Sequence, residues 1–132
     1  MIIKRDYYLQ QLISSKSNSL IKIVTGIRRS GKSFLLFNLF HNHLTETGIS
    51  EDHIIEIALD DRLNKNLRDP DVILRHIHER IVDDKLYYII LDEVQMIDEF
   101  TDVLNSLLHI RNADIYVTGS NSKFLSKDVV TE

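Results

Sequence analysis

Eight consecutive residues, Gly26-Ile27-Arg28-Arg29-Ser30-Gly31-Lys32-Ser33, follow the spacing G-x-x-x-x-G-K-[ST] without a mismatch. Each position has a physical task in holding phosphate. Glycines let the backbone wrap closely around an anion, so that amide N–H groups and a helix N-terminus point at it. Lys32 brings positive charge to the outer phosphates of a nucleoside triphosphate, and the Ser33 hydroxyl is of the kind that ligates magnesium. At average glycine usage, chance produces the pattern in on the order of one chain in a few hundred of this length. The segment also sits where it must, with a β-rich apolar run before it and a helical pattern after it. All eight residues are expected to cradle ATP with Mg²⁺, and Lys32 to act on the reacting phosphate as well.

A second group, Tyr88-Ile89-Ile90-Leu91-Asp92-Glu93, is an apolar run that ends in two acids. A buried unpaired carboxylate costs several kcal/mol, so two at a buried strand's end are expected to meet a cation or to open onto a site. Asp92 is expected to hold the magnesium ion, alongside Ser33, and Glu93 to orient and deprotonate an attacking water. The third group is Thr118-Gly119-Ser120-Asn121-Ser122, at the end of another apolar run. There a polar side chain, Asn121 the candidate, could touch the terminal phosphate or the water, as sites in open α/β sheets lie at the strands' carboxyl ends. An ordinary Gly-Ser-Asn turn is the competing reading of that third group.

The elements that must position these groups alternate along the chain. Residues 6–13 place Tyr8, Leu9, Leu12 and Ile13 on one face of a short helix. A strand over 20–25 runs into the glycine loop, and Leu36, Phe40 and Leu44, with Leu35 and Leu39 beside them, mark the helix that follows and stops at Gly48. Residues 54–59 read as a strand whose Glu56 suits a sheet edge. Asp69-Pro70 caps a helix with the buried stripe Ile73, Ile77 and Ile81. The continuous run Leu86 to Leu91 suits a strand covered on both faces. Phe100, Val103, Leu104, Leu107 and Leu108 follow a helical pattern with Asn112 as its stop, and Ile115 to Val117 is a fourth strand. Strands alternating with helices predict an α/β fold, a mostly parallel sheet between two helical layers.

Composition narrows the class. The 132 residues are 43% hydrophobic and 27% charged, with one proline, as in a soluble globular domain. The absence of cysteine excludes disulfides and thiolate metal sites. A formal net charge of −4 gives no direct evidence for nucleic-acid binding. No run approaches the roughly 18 apolar residues of a membrane span, and a cytoplasmic location is expected. The pairs His41/His43 and His76/His78 lie two apart on helices, where side chains diverge, and are read as surface histidines. Arg28 and Arg29 are expected to touch phosphate or a partner's acidic group, with a solvated place on the loop as the competing reading. Arg5, Asp6 and Tyr7 could cover a base, or the tyrosines could pack on the helix. Asn64-Lys65-Asn66-Leu67 lacks the aspartate of a guanine-reading N-K-x-D, which favours ATP.

Gly26 to Ser33, Ile90-Leu91-Asp92-Glu93-Val94-Gln95 and Val117-Thr118-Gly119-Ser120-Asn121-Ser122 together resemble the AAA-type P-loop ATPase family of bacteria and archaea. In that family an N-terminal ATPase domain precedes a C-terminal domain of uncharacterised role. The resemblance covers nearly the whole chain, and Arg28-Arg29 and Gln95 make it more specific than a generic P-loop. It implies a sheet order of 1-4-3-2, with the Ile115 strand between the loop strand and the Asp92 strand. It further implies a fifth strand downstream, and an arginine supplied to the terminal phosphate from downstream or neighbouring sequence. On this reading residues 1–132 form one ATPase core, the truncated N-terminal part of a longer protein, with weak turnover alone and a β-sheet edge inclined to self-associate.

Three functions fit the residues: an ATPase whose cycle moves a C-terminal domain or partner, a nucleotide-gated switch with negligible turnover, and a small-molecule kinase. Glu93 beside Asp92 favours the first over the third, since a kinase must exclude an activated water.

Overall fold

The computed structural model describes residues 5–16, 20–26 and 31–120. The four apolar runs form strands β1 (Lys22–Thr25), β2 (Ile54–Ala58), β3 (Tyr87–Asp92) and β4 (Ala113–Gly119). All neighbours are parallel, in the order β1-β4-β3-β2, the order that the family resemblance implies. Parallel neighbours need long crossovers, and helices supply them. These are α2 (residues 32–46), α3 (Pro70–Arg80) and α4 (Phe100–Leu107), while α1 (Arg5–Ser14) precedes β1. None of the described helices is long and apolar enough to cross a membrane.

Strand side chains alternate between faces, and here the alternation sorts the core into two. Tyr88, Ile90 and Tyr116 pack with Leu12 of α1 and with Leu35, Leu36, Phe40 and Leu44 of α2. Ile89, Leu91, Ile115 and Val117 pack with Ile73 and Ile77 of α3 and with Val103, Leu104 and Leu107 of α4. Every residue of β3 is buried, as its unbroken apolar run predicts for a strand covered on both sides. Full burial of each Ile or Leu contributes roughly 1.5–3 kcal/mol, so the two helical layers are held chiefly by this alternation.

The helix boundaries have local causes. Helix α2 starts at Lys32, widens to π-type winding over Leu35–Phe40 and returns to α over His41–Glu46. Gly48 (φ +99°) then stops it, with the Ile49 amide bonded to Leu44 O at 3.0 Å and the Gly48 amide to Thr45 O at 3.1 Å. That pair of bonds satisfies the last carbonyls. Asp69 caps α3, its Oδ1 accepting from the amides of Asp71 (2.9 Å) and Val72 (3.1 Å). Ile81, expected on the helical stripe, lies past the helix end with extended backbone and packs at the rim of the same core. Asn112 does not stop α4, which ends at Leu107 with Leu108 half-exposed. Instead its carbonyl accepts from the Tyr87 amide at 2.9 Å, and its side-chain amide donates to the carbonyls of Asp83 and Lys85. Thus it fastens the start of β3 to the start of β4.

Glu56 lies on the edge strand β2, where the sequence predicts it, but His41 is no free surface histidine. Its Nδ1 lies 2.6 Å from Glu56 Oε2 and its Nε2 2.9 Å from Glu51 Oε2, clasping α2 to the sheet edge. His43 stacks on Phe40 with centroids 6.3 Å apart. Burial opposes a charge on His41, but the bonds to Glu51 and Glu56 outweigh it and hold its pKa above the ordinary value. Burial also raises Glu56, only partly offset by His41. Both groups bind a proton more tightly when folded, so each contributes stability at low pH that is lost as pH rises through its folded pKa. The denaturant midpoint should therefore fall as pH rises above about 6.5, the ordinary histidine value. His41→Gln should flatten that part of the profile, and an unchanged slope in the variant would count against the clasp.

A buried ion pair ties β1 to β4. Lys22 of β1 meets Asp114 of β4, both buried. Tyr116 donates its hydroxyl to Asp114 Oδ2 at 2.7 Å, and the Lys22 Nζ lies 4.7 Å from the Tyr116 ring centroid. Burial and the Asp114 charge push the Tyr116 phenol far up.

Candidate functional site

A parallel sheet brings all its strand ends to one edge, and a crevice opens there where neighbouring strands lead in different directions. Strand β1 runs out into Gly26 (φ +148°), and α2 begins after Gly31 in the left-handed region (φ +98°). Only glycine takes that conformation without a steric penalty. From the next two positions, Lys32 and Ser33 reach the ends of β3 and β4.

The carboxylates meet them in register. Ser33 Oγ donates to Asp92 Oδ2 at 2.8 Å, across 59 residues of sequence. Lys32, 2% exposed, donates to Gly26 O and Ser120 Oγ, each at 3.2 Å, and its Nζ lies 3.8 Å from Glu93 Oε2. In a regular strand Asp92 and Glu93 would point to opposite faces. The strand ends instead with Glu93 in left-handed backbone (φ 56°, ψ 54°), a conformation costing roughly 1–2 kcal/mol for a residue other than glycine. The turn lets adjacent acids meet adjacent residues of the loop.

Hydrogen bonds hold both acids. Ser120 Oγ donates to the Glu93 carboxylate at 2.7 and 2.9 Å, and Gln95 Nε2 donates to Oε1 at 2.8 Å. Gln95 Oε1 is buried with no hydrogen-bond partner among the described residues. Thr118 donates to Asp92 Oδ1 at 2.6 Å and accepts from the Glu93 amide at 2.8 Å. Burial pushes the Asp92 carboxyl above the usual range, against the bonds from Thr118 and Ser33, and the charges of Glu93 and Asp60 add to the rise. A nearby cation would relieve that cost. Gly31, Lys32, Ser33, Phe34 and Glu93 line a cleft of about 270 Å³.

Of the residues singled out by sequence, Gly26, Gly31, Lys32, Ser33, Asp92 and Glu93 converge on this cleft edge. Ile27, Arg28, Arg29, Ser30 and Asn121 lie outside the described residues, as do the side chains of Arg5 and Asp6. Sequence reasoning gave no separate role to Thr118, Ser120 or Gln95. Thr118 reads in sequence as a strand former before glycine, and only the strand register brings it beside the acids. It also missed Lys22 and Asp114, whose signal was a single charge in each of two apolar strands.

A family model described as an AAA domain matches residues 18–132. The chain belongs to that family. AAA domains are nucleotide-binding domains of the ATPase type. This AAA domain is 34% identical to an uncharacterized protein of Haemophilus influenzae, over 98% of the chain and 32% of the relative. It is 33% identical to an uncharacterized protein of Methanocaldococcus jannaschii, over 98% of the chain and 26% of that relative. The chain thus spans about a third or less of the length of the curated relatives it matches. Among solved structures, a chain of Drosophila ORC bound to DNA matches with a TM-score of 0.57 at 12% identity, covering 89% of this chain and 77% of that one. That likeness shows the fold.

Proposed function

We propose that this AAA domain binds ATP with magnesium along Gly26 to Ser33 and hydrolyses it, and that the cycle moves a C-terminal domain or protein partner. The observation that carries the reading is the double meeting of neighbours, Ser33 with Asp92 and Lys32 with Glu93, at one sheet edge. Magnesium usually binds proteins through one or two carboxylates with the remaining positions filled by water and substrate phosphates. A hydroxyl hydrogen-bonded to a buried carboxylate suits that donor set, whereas among the described residues no cluster of three His, Cys, Asp or Glu forms a self-sufficient metal cage. Ser33 and Asp92 would hold the ion, which supplies charge neutralisation at the phosphates. Lys32 binds the outer phosphates, and Glu93 accepts a proton from the attacking water. Asn121 is assigned to the terminal phosphate by its place just after Ser120.

Lys32→Ala should weaken ATP binding by roughly ten- to a hundred-fold, since a charge-assisted hydrogen bond contributes about 1.5–3 kcal/mol. Calorimetry giving equal affinities for wild type and variant would sink the assignment. Turnover by the full-length protein separates the ATPase from a nucleotide-gated switch. A kinase reading is disfavoured by Glu93, which would squander ATP on water. The proposal includes a cytoplasmic location and pairing of another chain with β1, which has β4 as its neighbour among the described residues.

A further inference from the structure

The geometry points to Thr118 as a positioning residue that sets both acids of the site through one hydroxyl, aiming Asp92 at the magnesium position and fixing the backbone turn that presents Glu93. The inference rests on the magnesium–ATP reading above and deepens it. Thr118 is fully buried in β4, directly before the glycine at the strand's end. A hydroxyl has one proton and two lone pairs. Here a lone pair accepts the Glu93 N–H at 2.8 Å, so the proton is committed to Asp92 Oδ1 at 2.6 Å. Neither bond can be exchanged for the other.

Each bond has a separate consequence. The bond to Asp92 occupies Oδ1 and leaves Oδ2 turned to Ser33, 2.8 Å away, which is the oxygen that would face an ion held there. Groups that orient a metal's ligands typically change metal affinity or activity by 10–100-fold when lost. The bond from the Glu93 amide satisfies an N–H that leaves the strand ladder where the backbone turns left-handed. A buried amide without a partner is disfavoured, so the hydroxyl stabilises the turn that brings the Glu93 carboxylate to Ser120 and Lys32. Strand β4 lies between β1 and β3, and Thr118 is the point where it grips the acids.

The test uses the full-length protein and ATP analogues that resist hydrolysis. Thr118→Val keeps the shape and removes the hydroxyl, while Thr118→Ser keeps the hydroxyl. The valine variant should lose about 10–100-fold of the magnesium-dependent gain in nucleotide affinity. Its affinity in excess chelator should stay near wild type, and serine should restore the magnesium dependence to within a few-fold. Equal magnesium dependence in wild type and the valine variant would overturn the proposal, as would a serine variant as impaired as valine. If the valine variant does not fold, amide hydrogen exchange on the wild-type protein decides: the Glu93 amide should be protected like those of β3, and exchange as fast as in exposed loops would overturn the proposal. A wild-type protein that binds nucleotide with no magnesium dependence would overturn the magnesium reading itself, and this role of Thr118 with it; protection of the Glu93 amide tells the two failures apart.

Discussion

Glu93→Gln in the full-length protein should leave ATP bound while slowing hydrolysis by about 10²–10⁴, the range for loss of a positioned general base. Glutamine keeps the length of the side chain and an oxygen for the Ser120 hydroxyl, so the local fold should survive. What it loses is the basic carboxylate. The negative charge 3.8 Å from Lys32 Nζ also disappears, which should leave nucleotide affinity equal or tighter, because the lysine no longer divides its attraction between Glu93 and phosphate. Single-turnover kinetics beside equilibrium binding separate the two effects. A variant that hydrolyses at the wild-type rate would remove the support for Glu93 as the base, and one that loses binding in proportion to rate would make the residue structural.

The second large effect concerns the opposite end of the strands. Lys22→Met removes the cation that Asp114 faces inside the protein, and breaking a buried pair from one side typically costs about 3–5 kcal/mol. A fall in stability of that size, with loss of nucleotide binding only through unfolding, is the expected result of chemical denaturation. Replacing both partners with apolar residues, Lys22→Met with Asp114→Leu, should recover most of the loss, since a buried pair exchanged for packed apolar groups is often neutral or stabilising. Tyr116, which donates to Asp114, makes full recovery less complete and would need Tyr116→Phe to restore it. If Lys22→Met alone costs less than about 1 kcal/mol, as exposed pairs do, the pair is not the pin between β1 and β4 that its burial indicates.

What the residues determined by themselves was local. The loop glycines, the Asp69-Pro70 cap, the Gly48 stop and the unbroken apolar run of β3 are each read from short-range stereochemistry, and each stands in the structure. Spacing also singled out Lys32, Ser33, Asp92 and Glu93, because a glycine loop in the same chain makes two acids at a strand's end more telling than they would be alone. Sequence periodicity overran where tertiary contact decides: Ile81 continues a helical pattern whose helix has already ended, and Leu108 continues one whose buried stripe is complete at Leu107. The order of the strands followed from family resemblance and not from periodicity, since pairing between segments far apart in sequence leaves no local trace. Tertiary structure alone decided the register of β4 against β3 that sets Thr118 beside Asp92. It alone decided that Glu93 turns left-handed, that His41 clasps two glutamates, and that Lys22 and Asp114 meet inside the sheet. Those outcomes share one physical reason: each depends on which polar group finds a partner that folding brings beside it, and no local pattern of residues names that partner.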